Sequence, residues 1–566
     1  MKKFHISIFF FIITAAAYAS PGILRERMYI ATDKECYLSG ENVWLSAFCF
    51  DLNTGAASNG SAVAYIELQN LSRSLVQAKI KLSLGRGSGH LALPLTLPTG
   101  IYRLTAYTRY MLSEDKEIFY ARYITVYNPQ TSLRSDNVIV AGEGTTDMTA
   151  PVRTLLSGKN PRLITLSTDR ESYAPRTHFK MFIENHTGET VSTSVSVFAV
   201  DSLNHYCNPS ITEYIPSIPC EGLKEVTGEY ADYAGEVIYG HIVDQDNNRV
   251  ANSGLFNANI SIAGQDIQYY TAGVSENGDV RFFTSNLYGD GVLVSHVPSY
   301  SQTVYHLVLE PAYAQLPVND LPVLTLDPAQ KESLLKRSTG VQLHHAFRLD
   351  TLDKKERLSF NPLFQNTGIT YKLDEYTRFP VMAEVMIEFI KEARFRTVDD
   401  KHVLQVRIKD AAGVPYYLQD PTPPLILLDG IPVPNHETIY KYDPNLIESI
   451  TIYPHQYAFG SIYYSGIAFF KTYQGNFPNL NMDQSIRVQD FQGVQNVLLP
   501  GIVPQGNRLP DRRHTLYWNP RVDLQKDRFT TLEGFTSECK GTYCVVIEGM
   551  GLSGTPFRSE CIFEVK

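Results

Sequence analysis

The chain has 566 residues, with 50 Lys and Arg against 59 Asp and Glu, so its formal net charge is −9. At roughly 100–200 residues per domain, this length predicts three to five domains. A chain that is 43% hydrophobic and 19% charged has the composition of neither a disordered nor a polytopic membrane protein. Its negative charge without basic blocks argues against nucleic acid as a partner, because phosphate binding needs clustered Lys and Arg.

The first residues are typical of a cleaved leader. Lys2 and Lys3 precede an apolar run from Ile6 to Ala17, and the small-x-small sequence that ends at Ala19 is one that a signal peptidase recognises. The run is short for a bilayer span, and no stop-transfer segment follows. We therefore predict a signal peptide at 1–19 and an exported mature chain without a transmembrane span.

Seven cysteines are spread thinly over the chain, which fits an oxidising compartment without defining a disulfide scaffold. No Cys-x-x-Cys spacing occurs, so neither a redox pair nor a zinc site is predicted. The possible pairs are Cys207–Cys220, Cys539–Cys544 or Cys544–Cys561, and Cys36–Cys49, the last of which could equally be two buried thiols.

Short β-branched and aromatic runs, separated by turn residues at intervals of about ten, extend from Met28 to Tyr127 and predict an all-β sandwich. The block from Thr32 to Trp44, Thr-Asp-Lys-x-x-Tyr-x-x-Gly-Glu-x-Val-Trp, resembles the MG2-type domain of α2-macroglobulin-like proteins. The later block from Leu97 to Thr108 is similar to the version found in envelope proteins of Bacteroidota. The resemblance implies a macroglobulin-like β-sandwich over 20–130.

The spacing from Asp33 to Tyr37 recurs from Asp169 to Tyr173, so the chain contains an internal repeat. The alternating run that starts at Val191 is typical of a half-buried strand. We predict a second macroglobulin-like unit over 152–228.

Residues 229–312 contain two runs, Val237 to Asp244 and Gly273 to Phe282, that are similar to the carboxypeptidase regulatory-like domain, with Asn277-Gly278 at a tight turn. This resemblance implies a small β-sandwich. The loosely patterned residues 313–367 are expected to be a connector.

The character of the sequence changes after residue 367. A strand that ends in Leu-Asp-Gly at Gly430 and an Ile-Glu-x-Ile strand at 447–450 follow a helical segment, and this order resembles the plug domain of TonB-dependent outer-membrane receptors. The resemblance implies an α+β plug-like domain over 368–475, with a linker over 476–513. The remaining chain is too short for the receptor barrel, because twenty-two spanning strands need about 220 residues. The helix is predicted from Pro380 to Glu392, with one apolar face formed by Val381, Met382, Val385, Met386, Phe389 and Ile390.

The last segment, 514–566, opens with Leu-Tyr-Trp-Asn-Pro at 516–520, which resembles the opening of the closing β-domain in the same Bacteroidota proteins. Its length is small for a seven-stranded sandwich. We therefore expect this C-terminal β unit to borrow strands, and we hypothesise that it completes 152–228, with the modules between them as insertions.

No motif predicts catalysis or metal binding. The thioester sequence Cys-Gly-Glu-Gln of protease-trapping macroglobulins does not occur. The sequence from His436 to Tyr440 begins like a zinc-protease helix, but Tyr440 stands where the second His ligand should be. Asp244 to Arg249 imitates the start of a calcium loop, but Arg249 replaces the required Gly, so a polar turn is favoured.

Two further patterns have structural interpretations. His344 and His345 are adjacent, and on a strand their side chains would point apart. The Gly-rich run from Gly85 to His90 lacks both the nucleophile-elbow order and a Lys-Ser/Thr ending, so a turn before a strand is expected.

These patterns predict a mainly β, multi-domain fold of macroglobulin-like, immunoglobulin-like β-sandwiches and an α+β plug-like domain. They predict no catalytic, cofactor-binding or metal residues and no cofactor. The favoured function is non-enzymatic: a modular envelope protein in the periplasm, or associated with the outer membrane or cell surface, that binds a protein partner such as a β-barrel, transport or assembly complex. The alternative is a thioester-free macroglobulin-like endopeptidase inhibitor or protease-binding protein, with a protease-sensitive loop within 313–367.

Overall fold

A computed structural model describes residues 24–114, 118–141, 163–203, 208–219, 231–251, 257–264, 266–285, 287–299, 303–356, 367–409, 413–418, 422–460, 462–503 and 508–566. The predicted signal peptide and the pair Cys207–Cys220 lie outside these residues. Strands dominate the described chain and form several separate sheets, which confirms the mainly β, multi-domain fold. Within the described residues, no helix combines the length and the apolar character needed to cross a membrane.

Up to residue 346, the described part of the chain contains twenty strands and two α-helices. They are Glu26–Thr32 (β1), Cys36–Leu38 (β2), Asn42–Asp51 (β3), Val63–Gln69 (β4), Ser74–Ser83 (β5), Arg86–Ala92 (β6), Gly100–Tyr107 (β7), Tyr120–Tyr127 (β8), Val138–Val140 (β9), Ile164–Thr168 (β10), Ser172–Tyr173 (β11), His178–Asn185 (β12), Val191–Ala199 (β13), Ile211–Ser217 (α1), Val237–Val243 (β14), Asn257–Ile262 (β15), Tyr269–Gly273 (β16), Asp279–Phe283 (β17), Asp290–His296 (β18), His306–Leu309 (β19), Leu324–Leu326 (β20) and Lys331–Ala346 (α2).

From residue 354 onwards, the described part of the chain adds sixteen strands and two short α-helices. They are Lys354–Glu356 (β21), Ile369–Lys372 (β22), Met382–Glu388 (α3), Ala393–Val398 (β23), Lys401–Val406 (β24), Ile408–Lys409 (β25), Pro415–Tyr416 (β26), Leu425–Leu428 (β27), Ile431–Pro432 (β28), His436–Tyr440 (α4), Ile447–Phe459 (β29), Ile462–Thr472 (β30), Ile486–Gln492 (β31), Val497–Leu499 (β32), Thr515–Leu524 (β33), Phe529–Phe535 (β34), Gly541–Gly551 (β35) and Pro556–Val565 (β36).

The first sandwich is built from β1 to β8 in the order β1-β3-β6-β5-β4-β7-β8-β2. Its core contains several fully buried tyrosines, and a buried phenol needs a hydrogen-bond partner. The hydroxyl of Tyr107 donates to Glu67 at 2.7 Å, and that of Tyr29 donates to Glu548 at 3.0 Å. The second of these bonds joins the first sandwich to the C-terminal strands.

The second sandwich combines two distant parts of the chain. One sheet has the order β10-β12-β34 and the other the order β11-β36-β35-β13-β33. Strand β13 lies between β33 and β35, antiparallel to both. The C-terminal segment therefore pairs with residues 164–199, and the chain between them is inserted into this sandwich.

The third module has two sheets, β17-β14-β19 and β16-β15-β18-β31. Strand β31 comes from the segment expected to be a linker, and it pairs along its whole length with β18. The prediction of a linker over 476–513 is therefore wrong at these residues, because the segment from Ile486 to Gln492 is a strand that adds to a sheet formed about two hundred residues earlier in the sequence.

The connector over 313–367 also carries more structure than expected. It contains α2, strand β20 parallel to β9, and strand β21 antiparallel to β32. Helix α2 buries only Arg337 and Ser338, so it lacks the apolar stripe by which a surface helix is usually found in a sequence.

The α+β domain has one five-stranded sheet in the order β22-β29-β30-β27-β28. One face packs against α3, α4 and the β23–β24 hairpin, and the other packs against the third module. Helix α3 is shorter than predicted: it ends at Glu388, because Phe389 leaves the helical conformation with φ −140°. The chain then enters β23, where the carbonyl of Glu392 accepts from the amide of Arg407.

Candidate interaction surface

The α+β domain presents four aromatic side chains beside β22, the outer strand of its sheet. The rings of Tyr376 and Phe389 stack with their centroids 4.2 Å apart. The ring centroids of Tyr371 and Phe379 lie 6.5 and 6.3 Å from that of Phe389. Tyr376 is 40% exposed, and the other three are half-buried. We call these four residues the aromatic cluster.

Local structure holds the aromatic cluster at the surface. Helix α3 directs Met382, Val385 and Met386 into the core, and its early end turns Phe389 towards Tyr376. The hydroxyl of Tyr371 donates to the carboxylate of Glu392, and burial together with this bond raises the pKa of Tyr371 to about 12. The cluster is therefore an ordered aromatic surface rather than a set of loose side chains.

The opposite side of the domain is fixed to the third module. The ring of Tyr269 packs against Phe459, and its hydroxyl lies 3.0 Å from that of Tyr464. Gly430 has φ +83°, and a Cβ at this position would lie 2.4 Å from the carbonyl oxygen of Ile262. The Asp-Gly pair that ends the Leu-Asp-Gly strand is therefore a point of close backbone contact between two modules.

A buried lysine fixes the third module to the first sandwich. Lys79 is 2% exposed, and its Nζ lies 2.6 Å from Glu236 Oε1 and 2.7 Å from the carbonyl oxygen of Gln492. Nearby, the side-chain amide of Gln495 bonds to both backbone groups of His90. These contacts hold residues 486–499 as a strap along β5 and β6.

The first copy of the repeated motif is a buried hydrogen-bond unit. The hydroxyl of Tyr37 donates to Asp33 Oδ1 at 2.7 Å and accepts from the amide of Lys34 at 3.3 Å. The same Asp33 oxygen accepts from the amide of Trp44, and Oδ2 accepts from Thr515. Burial raises the pKa of Asp33.

The second copy repeats the geometry at a more exposed place. The hydroxyl of Tyr173 donates to Asp169 Oδ1 at 2.7 Å and accepts from the amide of Arg170 at 3.1 Å. The amide of Lys180 donates to the same oxygen, at the same sequence separation as Trp44 from Asp33. Partial burial would raise the pKa of Asp169, but these hydrogen bonds outweigh it and lower the pKa. The repeat is therefore a structural device in both copies.

The segment from His436 to Tyr440 packs against His402 and has a structural role. Glu437 Oε1 lies 2.7 Å from His402 Nδ1, and the ring of His402 stacks on Tyr440 with centroids 3.7 Å apart. The amide of Leu404 donates to His436 Nδ1, and burial lowers the pKa of His436 to about 4. Among the described residues, no group of three or more His, Cys, Asp and Glu side chains could hold a metal ion.

The remaining polar patterns have local roles. Asp244 Oδ1 accepts from the amides of Asp246 and Asn248, which makes the polar turn that the sequence indicated. The prediction of a strand at His344 and His345 is wrong: both lie in the last turn of α2. Their segment is rich in good helix formers and follows an Asp-Pro helix start, and these local signals determine the helix.

Two of the considered disulfides are not formed, since Cys539, Cys544 and Cys561 are all free thiols. The register pairs Cys544 with Ile562 and Val545 with Cys561, so Cys544 and Cys561 lie on opposite faces of the sheet. Cys36 and Cys49 are the buried thiols of the second alternative.

A pocket of about 260 Å³ lies between the α+β domain and the beginning of β31. Its walls are the 432–438 segment and the 480–486 segment, and its polar lining consists mainly of amides with one carboxylate, Asp483. Ser485 donates to that carboxylate through both its amide and its hydroxyl. The pocket therefore does not add a catalytic constellation to the aromatic surface.

Comparison with known proteins gives structural neighbours only. No protein-family model matches the chain, and no curated protein does. Among solved structures, a mutant Salmonella alpha-2-macroglobulin is 9% identical with a TM-score of 0.24, and the match covers 95% of this chain and 39% of the macroglobulin chain. The native conformation of Escherichia coli alpha-2-macroglobulin is 9% identical with a TM-score of 0.24, and the match covers 96% of this chain and 40% of the macroglobulin chain. The Escherichia coli adhesin FdeC is 12% identical with a TM-score of 0.14, and the match covers 52% of this chain and 63% of the adhesin chain. The chain spans about two fifths of the length of these macroglobulin chains.

Proposed function

We propose that this protein is a non-enzymatic modular protein of the cell envelope, and that its α+β domain binds a protein partner at the outer membrane, in the class of β-barrel, transport or assembly complexes. The observation that carries the proposal is the aromatic cluster. Tyrosine and other aromatic side chains are enriched at protein interfaces because they bury a large area with few rotatable bonds.

The buried charged groups support a structural rather than a catalytic role. Lys79 and Glu236 join two modules, and Arg337 and Asp201 join helix α2 to the second sandwich. Groups held by such pairs cannot rearrange around a substrate without leaving a charge unpaired in the interior. The envelope location is supported by the leader-like sequence at 1–19 and by the plug-like order of motifs.

Site-specific photo-crosslinking in intact cells tests the proposal. A photoreactive residue would replace Ile387, which is 77% exposed on α3, and in a matched control it would replace Leu71, which is 46% exposed on the first sandwich. We expect an outer-membrane protein to be crosslinked from position 387 and not from position 71. Crosslinks to no envelope protein, or equal crosslinks from both positions, would contradict a binding role of the α+β domain.

A protease-binding role would give a different result. In that case added proteases would be captured by the full chain and would cleave it first within 313–367. Because α2 and β21 occupy much of that segment, we expect 331–346 to resist cleavage, as measured by mass spectrometry of limited digests.

A further inference from the structure

The β23–β24 hairpin carries a row of arginines on one face. Arg394 is opposite Gln405 and Arg396 is opposite Val403, and directly opposed residues of an antiparallel pair project to the same face. Arg407 lies two residues beyond Gln405 and so continues this row. Arg394 and Arg396 are exposed, and Arg407 is half-buried.

A tyrosine organises two of these arginines. The Cζ atoms of Arg394 and Arg407 lie 3.9 and 5.9 Å from the ring centroid of Tyr417. Two like charges are thus held against one aromatic ring by cation–π contacts. We call Arg394, Arg396, Arg407 and Tyr417 the arginine face.

The charges of the arginine face are not neutralised within the described chain. No carboxylate of the described residues lies within 4.0 Å of the charged nitrogens of its three arginines. Arg407 Nε is buried without a hydrogen-bond partner, and so is Oε1 of Gln405, a residue that is only 8% exposed. Buried polar atoms in native proteins are normally satisfied, so Arg407 and Gln405 retain unused hydrogen-bonding capacity beneath this face.

Two exposed apolar side chains precede Tyr417 in the sequence. Strand β26 pairs with β25, which follows β24 directly in the chain. Next to Tyr417, Tyr416 is 41% exposed and Val414 is 57% exposed. Arginine and tyrosine together form the typical composition of binding hot spots in protein interfaces.

The charges around the arginine face indicate which class of ligand this face can bind. The whole chain carries a net charge of −9, and the tip of this hairpin is formed by Asp399 and Asp400, both exposed. A long polyanion such as DNA, or an anionic lipid surface, would extend beyond the arginines and meet these repulsive charges. A short acidic segment of a protein would contact the arginine face alone.

We propose that the arginine face binds an acidic segment of a partner protein. This inference rests on the proposed function of the α+β domain as a partner-binding module and names the chemistry that the partner presents. Carboxylates would accept from the guanidinium groups of Arg394 and Arg407, beside the ring of Tyr417.

The test measures binding of the full chain to a fluorescent Glu-rich peptide by anisotropy, with a Gln-rich peptide of the same length as reference. The double variant R394Q/R407Q should bind the Glu-rich peptide about tenfold more weakly, because two charge contacts with the peptide are lost. The control variant R73Q/R134Q removes two exposed arginines of the N-terminal region and should leave binding unchanged.

Other outcomes overturn the inference. Equal binding of the two variants, or no preference for the Glu-rich over the Gln-rich peptide, would remove the arginine face as the site. Tighter binding to a DNA duplex or to phosphatidylglycerol vesicles would assign the face to another polyanion. If R394Q/R407Q keeps the crosslink from position 387 at full yield, the proposed function stands and the acidic-segment inference fails. If the peptide binds as expected but position 387 crosslinks no envelope protein, the proposed function fails instead.

Discussion

The two copies of the Asp-basic-x-x-Tyr motif provide the same hydrogen bonds in different surroundings. In the first copy, Asp33 is fully buried and its basic neighbour Lys34 is 5% exposed. In the second copy, the Asp169 and Arg170 side chains are 24% and 69% exposed. Water can replace a lost partner in the second copy but not in the first, so the motif should matter more to stability in the first sandwich.

The variants Tyr37→Phe and Tyr173→Phe measure this difference. Tyr37→Phe removes a donor from a buried carboxylate and should lower the free energy of unfolding by about 2 kcal/mol, whereas Tyr173→Phe should cost about 1 kcal/mol or less. Denaturant titrations of both variants give the comparison. A larger loss for Tyr173→Phe would show that burial does not set the strength of the motif.

Asp232 gives the interface between the first sandwich and the third module a dependence on pH. Its Oδ2 accepts from Tyr65 at 2.9 Å and its Oδ1 from the amide of Val237 at 2.7 Å. Burial raises its pKa from the ordinary 3.8 to about 7. Because the folded state binds this proton more tightly than the unfolded state, the resulting stability is fully present below about pH 4 and is lost as the pH rises through 7.

The variant Asp232→Asn cannot ionise and should lose less stability than the wild type between pH 5 and pH 8. Thermal unfolding midpoints across this range give the difference, which should favour the variant at pH 8. Parallel curves for the two proteins would show that Asp232 does not titrate in this interval.

At the scale of single elements, α2 shows how a polar helix can be held by one side chain. The guanidinium of Arg337 makes two bonds to Asp201, at 2.6 and 2.7 Å, and one to the carbonyl of Cys36 at 3.0 Å. Burial alone would raise the pKa of Asp201, but His514 and Arg337 hold it well below its usual value. The helix therefore joins both sandwiches through a buried ion pair and not through an apolar face.

The variant Arg337→Gln should release α2. Breaking a buried pair costs about 3–5 kcal/mol because the remaining charge loses its partner, so amide exchange should accelerate across 331–346. Lys336→Gln on the same helix is the control, since Lys336 is exposed and pairs with the exposed Glu332. Unchanged exchange in Arg337→Gln would mean that other contacts hold the helix.

Sequence signals and structure agree where local patterns carry the information. The strands of the first sandwich follow from turn residues at regular spacing, and the Asp429-Gly430 turn follows from its residue types. Helix α2 was missed because it has no apolar stripe, and β31 was missed because its partner β18 lies far away in the sequence. The arginine face could not be found, since it depends on the register between β23 and β24 and on the position of Tyr417.

At the scale of the whole molecule, buried polar contacts join the modules. Lys79 joins the first sandwich to Glu236 of the third module and to the strap that follows the α+β domain. Its Nζ also lies 4.8 Å from the ring centroid of Phe491. The orientation of the α+β domain should therefore depend on a residue in a different module.

The variant Lys79→Met leaves Glu236 buried without its cation and should destabilise the protein by about 3 kcal/mol or more. The double variant Lys79→Met with Glu236→Gln should recover part of this loss, because no charge is then left unpaired. A double-mutant cycle in denaturant provides the measurement. Additive losses would show that the two side chains are not energetically coupled.

The second sandwich is built from chain segments that precede and follow the inserted modules. This arrangement limits the order in which the protein can fold. Thr193 on β13 bonds to Val522 on β33 across 329 residues, so this sandwich stays incomplete until the C-terminal strands have been synthesised. The pairing of β21 with β32 holds both ends of the α+β insertion together and, once formed, shortens the loop that β13 and β33 must close. We therefore expect the inserted modules to fold before the second sandwich, which is completed last.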